Sequence, residues 1–170
     1  MATRSITPFI ESVRSVFSMM LQSSVTCTGP FEGSLTQDDP PDVSGVVGMF
    51  GDLEGSVVVK FSFETARQVV ARFVGSEVSV KSEDFADAIG ELVNMITGGA
   101  KAKFGEGDVS ITVPSVVVGG SHRIHPMPGA EIQSFRCDGE LGVFVVEVAV
   151  CGPTSSKPSA AGDQIAGANA

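Results

Sequence analysis

The first twenty residues place hydrophobic side chains three and four positions apart, the spacing of an amphipathic helix. This spacing predicts a helix over residues 7–22. Thr7 is a candidate cap, and Pro8 suits the first helical turn because its missing N–H would have no partner there. The repeating apolar positions are Ile6, Phe9, Ile10, Val13, Val16, Phe17, Met20 and Leu21.

Two more helices are predicted in the middle of the chain. One covers residues 64–74, and a longer one covers residues 82–103. For the longer helix Ser82 is a candidate cap, and Glu83 and Asp84 favour its positive end. The apolar stripe of the shorter helix consists of Ala66, Val69, Val70 and Phe73.

Val- and Gly-rich segments separated by turn residues predict β-strands. Asp138-Gly139 is a tight-turn dipeptide, so the last two strands are expected to form a hairpin. Helices combined with such strands predict an α+β fold, a mostly antiparallel sheet flanked by long helices. The predicted strands lie near residues 24–34, 44–51, 55–62, 109–118, 130–137 and 141–150.

Length and composition favour one folded domain followed by a tail. A chain of 170 residues, of which 42% are hydrophobic, can build a substantial single core. Residues 152–170 are mostly Gly, Ala, Ser and Pro without periodicity. They predict a disordered low-complexity tail, which leaves residues 1–151 as the folded domain.

The charge balance narrows the classes of partner. A net charge of −9 argues against nucleic acid and anionic membranes, because both require clustered Lys and Arg. No apolar run is long enough to span a membrane, and the N-terminus lacks the pattern of a secretory leader. Cys27, Cys137 and Cys151 are odd in number and lack metal-binding spacing, which favours reduced thiols in a cytoplasmic protein.

The longest predicted helix carries the candidate chemistry on its polar face. At about 100° per residue, Asp87, Glu91, Asn94 and Gly98 lie together, opposite the apolar residues. Gly98 and its neighbour Gly99 each cost a helix about 0.8–1.0 kcal/mol relative to Ala. Because glycine has no side chain, glycines beside an exposed Glu and Asn suggest a surface that a partner can approach closely.

Residues 89–101 resemble the signature helix of the CheC/CheX/FliY phosphatases of bacterial chemotaxis. That pattern has an acidic or Ser residue, Glu four positions later, Asn three after that, and a downstream Pro. Asp87, Glu91, Asn94 and Pro114 match it in order, with a gap to Pro114 a few residues shorter than expected. Further segments that resemble CheX extend the likeness over most of residues 5–151, and they are 6–11, 43–48, 54–58 and 113–119.

The resemblance implies a CheX-like phosphatase domain over residues 1–151, which accelerates dephosphorylation of a phosphorylated CheY-like response regulator. Asn94 would orient the attacking water, and Glu91 would pair with the active-site Lys of the regulator. Asp87 and Gly98 would lie at the contact surface. The regulator would supply the phosphoaspartate and the Mg²⁺, so no cofactor of the chain's own is expected. A homodimer is expected too, because the edges of Val-rich strands must be covered or paired.

Other interpretations stay open at this point. A non-catalytic CheX-like module could dock a signalling or flagellar switch protein, or serve dimerisation. Without the resemblance, the Glu and Asn would be read as an ordinary solvated helix face. His122 and His125 have the spacing of a metal pair but no evident third ligand. Glu11 and Arg14 look like a degenerate copy of the signature in the first helix, which predicts one active site per chain.

Overall fold

The computed structural model of the protein describes residues 5–105 and 107–151, so the predictions about residues 152–170 lie outside the described residues. Within them the chain forms three helices and seven strands. The helices are α1 (Thr7–Leu21), α2 (Phe63–Val74) and α3 (Glu83–Lys101). The strands are β1 (Val25–Glu32), β2 (Val43–Gly51), β3 (Glu54–Phe61), β4 (Val109–Ile111), β5 (Ser115–Val118), β6 (Glu131–Gly139) and β7 (Gly142–Cys151).

The strands form one antiparallel sheet in the order β1-β6-β7-β3-β2, with β4 and β5 both pairing with β2 at the far edge. The predicted α+β class and the mostly antiparallel sheet are therefore confirmed. No helix of the described residues is long and apolar enough to cross a membrane.

One hydrophobic core lies between the helices and the sheet. Side chains alternate between the two faces of a strand, so Val57, Val59 and Phe61 of β3 face the helices. The phenyl rings of Phe17 and Phe144 stack with centroids 4.8 Å apart, which joins α1 to β7. All three helices contribute buried residues to this core, so each is held on the same side of the sheet.

The predicted helices are confirmed to within two residues at each end, but one cap is wrong. Ser82 caps α3 by accepting a hydrogen bond from the Asp84 N–H, as predicted. Thr7 is already helical, and Ile6 occupies the cap position without a capping side chain. The hydroxyl of Ser5 instead accepts a hydrogen bond from the Thr7 N–H.

The strand predicted over residues 109–118 is wrong as a single element. It is divided into β4 and β5, which pair with opposite ends of β2. Pro114 stands between them and has no N–H to donate to a ladder, so regular pairing stops there. The Thr112 N–H still bonds to the carbonyl of Gly48, which keeps the divided strand against the sheet.

The predicted hairpin between the last two strands is confirmed, with a different turn. Asp138 and Gly139 are the last residues of β6, and Gly139 pairs with Gly142. The loop itself is Glu140-Leu141. The turn therefore starts at Glu140, directly after the predicted dipeptide.

A buried ion pair lies on the face of the sheet that points away from the helices. Lys60 of β3 donates from Nζ to Glu147 of β7 over 2.7 Å, and both side chains are less than a tenth exposed. The loop over residues 33–42 covers them: its Ser34 donates to Glu147, and its Thr36 accepts from Lys60 at 2.9 Å. The pair thus attaches this loop to the sheet.

Candidate active site

Helix α3 is anchored by its apolar side, which decides what it presents to solvent. Ile89, Val93 and Ile96 are fully buried against the sheet and the other helices. Gly45 of β2 makes this close approach possible, because a Cβ there would clash with the side chain of Val93. The opposite side of α3 therefore faces solvent, and the packing of the apolar side fixes its orientation.

The predicted site residues lie together on that outward side. Asp87 and Glu91 are exposed, while Asn94 and Gly98 are half-buried. Among the described residues, none forms a hydrogen bond or an ion pair with the side chains of Asp87, Glu91 or Asn94. A carboxylate and a carboxamide are thus available to an incoming molecule rather than engaged within the fold.

Pro114 reaches the site from the broken edge strand. Its Cγ lies 3.4 Å from the point where a Cβ on Gly90 would stand. Gly90 is one turn before Asn94, so on helical geometry the two residues lie along the same side of α3. The structure therefore brings Pro114, which is distant in sequence, against Gly90, one turn before Asn94.

An open groove of about 730 Å³ flanks the other side of the site. It runs from Glu91 along α3 to the end of α2, where Val74 is about half exposed, and to the segment that follows α2. The described residues that line it include four carboxylates, those of Glu77, Asp84, Asp87 and Glu91, and no Lys or Arg. Molecules that approach Glu91 from this side meet a negative surface with an apolar part.

The two glycines of α3 serve different purposes. A Cβ on Gly99 would clash with the hydroxyl of Ser12, which donates a hydrogen bond to the Ile96 carbonyl at 2.6 Å. Gly99 therefore permits the packing of α1 on α3. A Cβ on Gly98 would meet nothing within 4 Å. Only Gly98 is left for the predicted close approach of a partner.

The first helix lacks the free carboxylate that α3 presents. Glu11 of α1 forms an ion pair with Lys103 at 3.1 Å. Arg14, three residues later, occupies the position where a second signature would have Asn. The prediction of one active site per chain stays a prediction, and the engagement of Glu11 within the fold supports it.

His122 is held by the fold rather than free to bind a ligand. Its Nδ1 lies 2.8 Å from the Gly119 carbonyl, and its Nε2 lies 2.8 Å from the Ser44 hydroxyl. In the described part of the chain, no group of three or more His, Cys, Asp or Glu side chains is placed to hold a metal ion.

The groove residues Glu77 and Asp84 were not identified from sequence as part of a site. The sequence pattern marks Asp84 only as a favourable charge at the start of α3, and Glu77 lies in a linker without a motif. Their one signal was a group of acidic residues around the start of the signature helix. Only the packing of α2 against α3 shows that they share a surface with Glu91.

The arrangement is suited to positioning a reactant. A carboxamide can donate and accept hydrogen bonds at once, so Asn94 can fix the orientation of a water molecule. An unpaired carboxylate three residues away can receive a cation of a partner. Neither side chain needs to form a covalent intermediate in such a role.

Comparison with known families identifies the family of the chain. The sequence profile of the family described as chemotaxis phosphatase CheX matches residues 43–137. The matched region includes Asp87, Glu91, Asn94, Gly98 and Pro114. It covers more than half of the chain.

A sequence relative and a solved structure extend the comparison. The CheY-P phosphatase CheX of Thermotoga maritima is 40% identical over 83 residues, which are 47% of this chain and 54% of that protein. The match thus spans about half the length of this relative. The crystal structure of chemotaxis protein CheX from Desulfovibrio desulfuricans aligns with a TM-score of 0.77 at 29% identity, covering 85% of this chain and 97% of that one.

A second similar structure is a complex. It contains CheX, CheY, BeF3 and Mg²⁺ from Borrelia burgdorferi, and it aligns with a TM-score of 0.72 at 24% identity, covering 86% of this chain and 97% of that one. The similarity to this structure shows a shared fold.

The profile match over residues 43–137 establishes the family, and the chain belongs to the CheX family of chemotaxis phosphatases.

Proposed function

We propose that this protein is a phosphoaspartate phosphatase, a hydrolase that accelerates dephosphorylation of a CheY-like response regulator in chemotaxis signalling. The observation that carries the proposal is that Glu91 and Asn94 point outward from a helix whose opposite side is buried. Their side chains form no hydrogen bond or ion pair among the described residues. The name of the Thermotoga maritima relative, CheY-P phosphatase, supports the choice of substrate. Such a partner is cytoplasmic, and we propose the same location for this chain.

Asn94 is proposed to supply the catalytic contact by holding the attacking water. The phosphoryl group already sits on an Asp of the regulator, so water is the only reactant that the phosphatase must position. A hundredfold acceleration requires about 2.7 kcal/mol of transition-state stabilisation. Orientation of reactants can supply about 7–11 kcal/mol at its best. One well-held water is therefore sufficient.

Glu91 is proposed to bind the regulator through its active-site Lys. The carboxylate is exposed and has no cation beside it on its own chain among the described residues, so association does not first require an internal ion pair to break. Asp87 and Gly98 flank it on the same face, where the open space above Gly98 admits close contact. We propose that Mg²⁺ enters with the regulator, as part of the phosphorylated partner.

The test is the release of phosphate from a phosphorylated CheY-like regulator in the presence of Mg²⁺. Substoichiometric amounts of this protein are expected to shorten the lifetime of the phosphoaspartate at least severalfold and to turn over repeatedly. A lifetime that is unchanged while the two proteins bind each other would refute the phosphatase proposal and leave the non-catalytic docking module.

We further propose a homodimer joined through a sheet edge. At the β4–β5 edge Val113 is 85% exposed, and Val117 and Val118 are each more than a third exposed. Edge strands with apolar side chains favour pairing with another strand.

Light scattering at micromolar concentration is expected to give twice the 17.5 kDa of one chain. Val117→Lys should shift the mass to that of one chain, whereas Val143→Lys, at a similarly exposed position on β7, should not. A wild-type mass of 17.5 kDa would exclude the dimer.

A further inference from the structure

Two of the cysteines face each other across neighbouring strands. Cys27 of β1 is the direct partner of Cys137 of β6 in the antiparallel ladder. Their sulfur atoms lie 3.5 Å apart, and both thiols are free. The pair is separated by more than a hundred residues along the chain, so it exists only because β1 joins the sheet beside β6.

The position of the two cysteines in the ladder places their backbones within the range that a disulfide accepts. Directly opposed residues of antiparallel strands have Cα atoms about 4.5–5.5 Å apart. Disulfides accept Cα separations of about 4.4–6.8 Å. The sulfur atoms would therefore need to approach each other mainly by side-chain rotation, with little movement of the strands.

The two thiols differ in acidity and exposure. A hydrogen bond from Cys137 and the nearby guanidinium of Arg14 lower the pKa of Cys27 to about 7, although partial burial opposes this. The hydrogen bond to Cys27 and its own burial raise the pKa of Cys137. Cys27 is half-buried on an edge strand, whereas Cys137 is fully buried. Cys27 is thus the more acidic and more exposed thiol of the pair, and Cys137 is the less acidic, buried neighbour.

We propose that Cys27 and Cys137 are a modification site for peroxides, with Cys27 as the reacting residue and Cys137 as the resolving one. The Cys27 thiolate attacks one oxygen of hydrogen peroxide, the O–O bond breaks, and hydroxide leaves to take up a proton as water. The resulting sulfenic acid is attacked by the Cys137 sulfur. An S–S bond forms, and the thiol proton leaves with the hydroxyl group as a second water. Both sulfurs are oxidised by one electron each, and the peroxide receives the two electrons. An accessible thiolate beside a resolving thiol is the arrangement of redox-sensitive cysteines.

Peroxide treatment of the reduced full chain tests the proposal. The intact mass of the wild type is expected to fall by two hydrogen atoms, and a non-reducing peptide map should join the Cys27 peptide to the Cys137 peptide. Cys151→Ser, which removes the third cysteine, should give the same product. A dithiol reductant should restore the original mass.

Two variants separate the roles of the pair. Cys137→Ala is expected to stop at a sulfenic acid on Cys27, which dimedone traps and which forms more slowly because the hydrogen bond that lowers the Cys27 pKa is lost. Cys27→Ser should give no disulfide. The wild-type peptide map decides the question even if Cys137→Ala does not fold. A wild type that keeps both thiols when Cys151 is oxidised, or a bridge that includes Cys151, overturns the proposal.

Discussion

Asn94→Ala is expected to lower the rate of regulator dephosphorylation at least about a hundredfold, a loss of about 2.7 kcal/mol of transition-state stabilisation. The physical reason is that the alanine can neither donate to nor accept from the attacking water. Stability should hold or rise slightly, because Ala favours a helix more than Asn at a position outside the core. Phosphate release measured beside thermal melts separates lost chemistry from lost structure.

Two further variants make this result specific. Gln68→Ala removes an exposed carboxamide from α2 and should leave the rate unchanged. Glu91→Gln should act on association, weakening it about tenfold, or about 1.4 kcal/mol, with a smaller effect on turnover at saturation. Glu131→Gln, the same change at an exposed position on β6, should weaken neither. Wild-type turnover by Asn94→Ala would refute the water-orienting role.

Glu147→Ala is expected to destabilise the fold by about 3–5 kcal/mol, because it leaves the ammonium of Lys60 buried without its counter-ion. The hydroxyl of Ser34 would lose its acceptor as well. Urea denaturation followed by circular dichroism measures the change. The expected loss is a large part of the stability of a domain of this size.

The expected loss comes from burial of the charges rather than from the ion pair itself. An exposed ion pair of the same length provides the control. Arg72 and Glu140 are also 2.7 Å apart, but their side chains are 41% and 60% exposed. Glu140→Ala should therefore cost less than about 1 kcal/mol. The double variant Lys60→Met, Glu147→Leu should recover most of the stability, since no charge is then left buried. Equal effects at Glu140 and Glu147 would contradict this explanation.

The sequence predicted the elements and the polar face of α3 because these depend on local periodicity. Asp87, Glu91 and Asn94 recur at helical spacing opposite apolar residues, and that spacing alone puts them on one outward side. The division of the strand over residues 109–118 was missed although Pro114 gave the signal, because the apolar run on either side looked continuous.

What the sequence could not predict depends on contacts between distant segments. The ladder that joins Cys27 to Cys137 depends on the strand order of the sheet, in which β1 pairs with β6. The role of Gly99 depends on Ser12 of another helix, so the two adjacent glycines looked alike in sequence. Likewise, the groove beside Glu91 is formed by α2 and α3 together, and no single segment indicates it.

The carboxylates that line this groove also affect the rate at which a partner associates, as distinct from the affinity of the complex. Charges on a surface attract or repel an approaching molecule before any contact forms, over about 8 Å at physiological ionic strength. A regulator that turns a basic patch toward the groove would collide more often in the right orientation, and added salt would slow those collisions. The groove would then favour partners that associate quickly, while Glu91 and Asn94 act in the complex after it has formed.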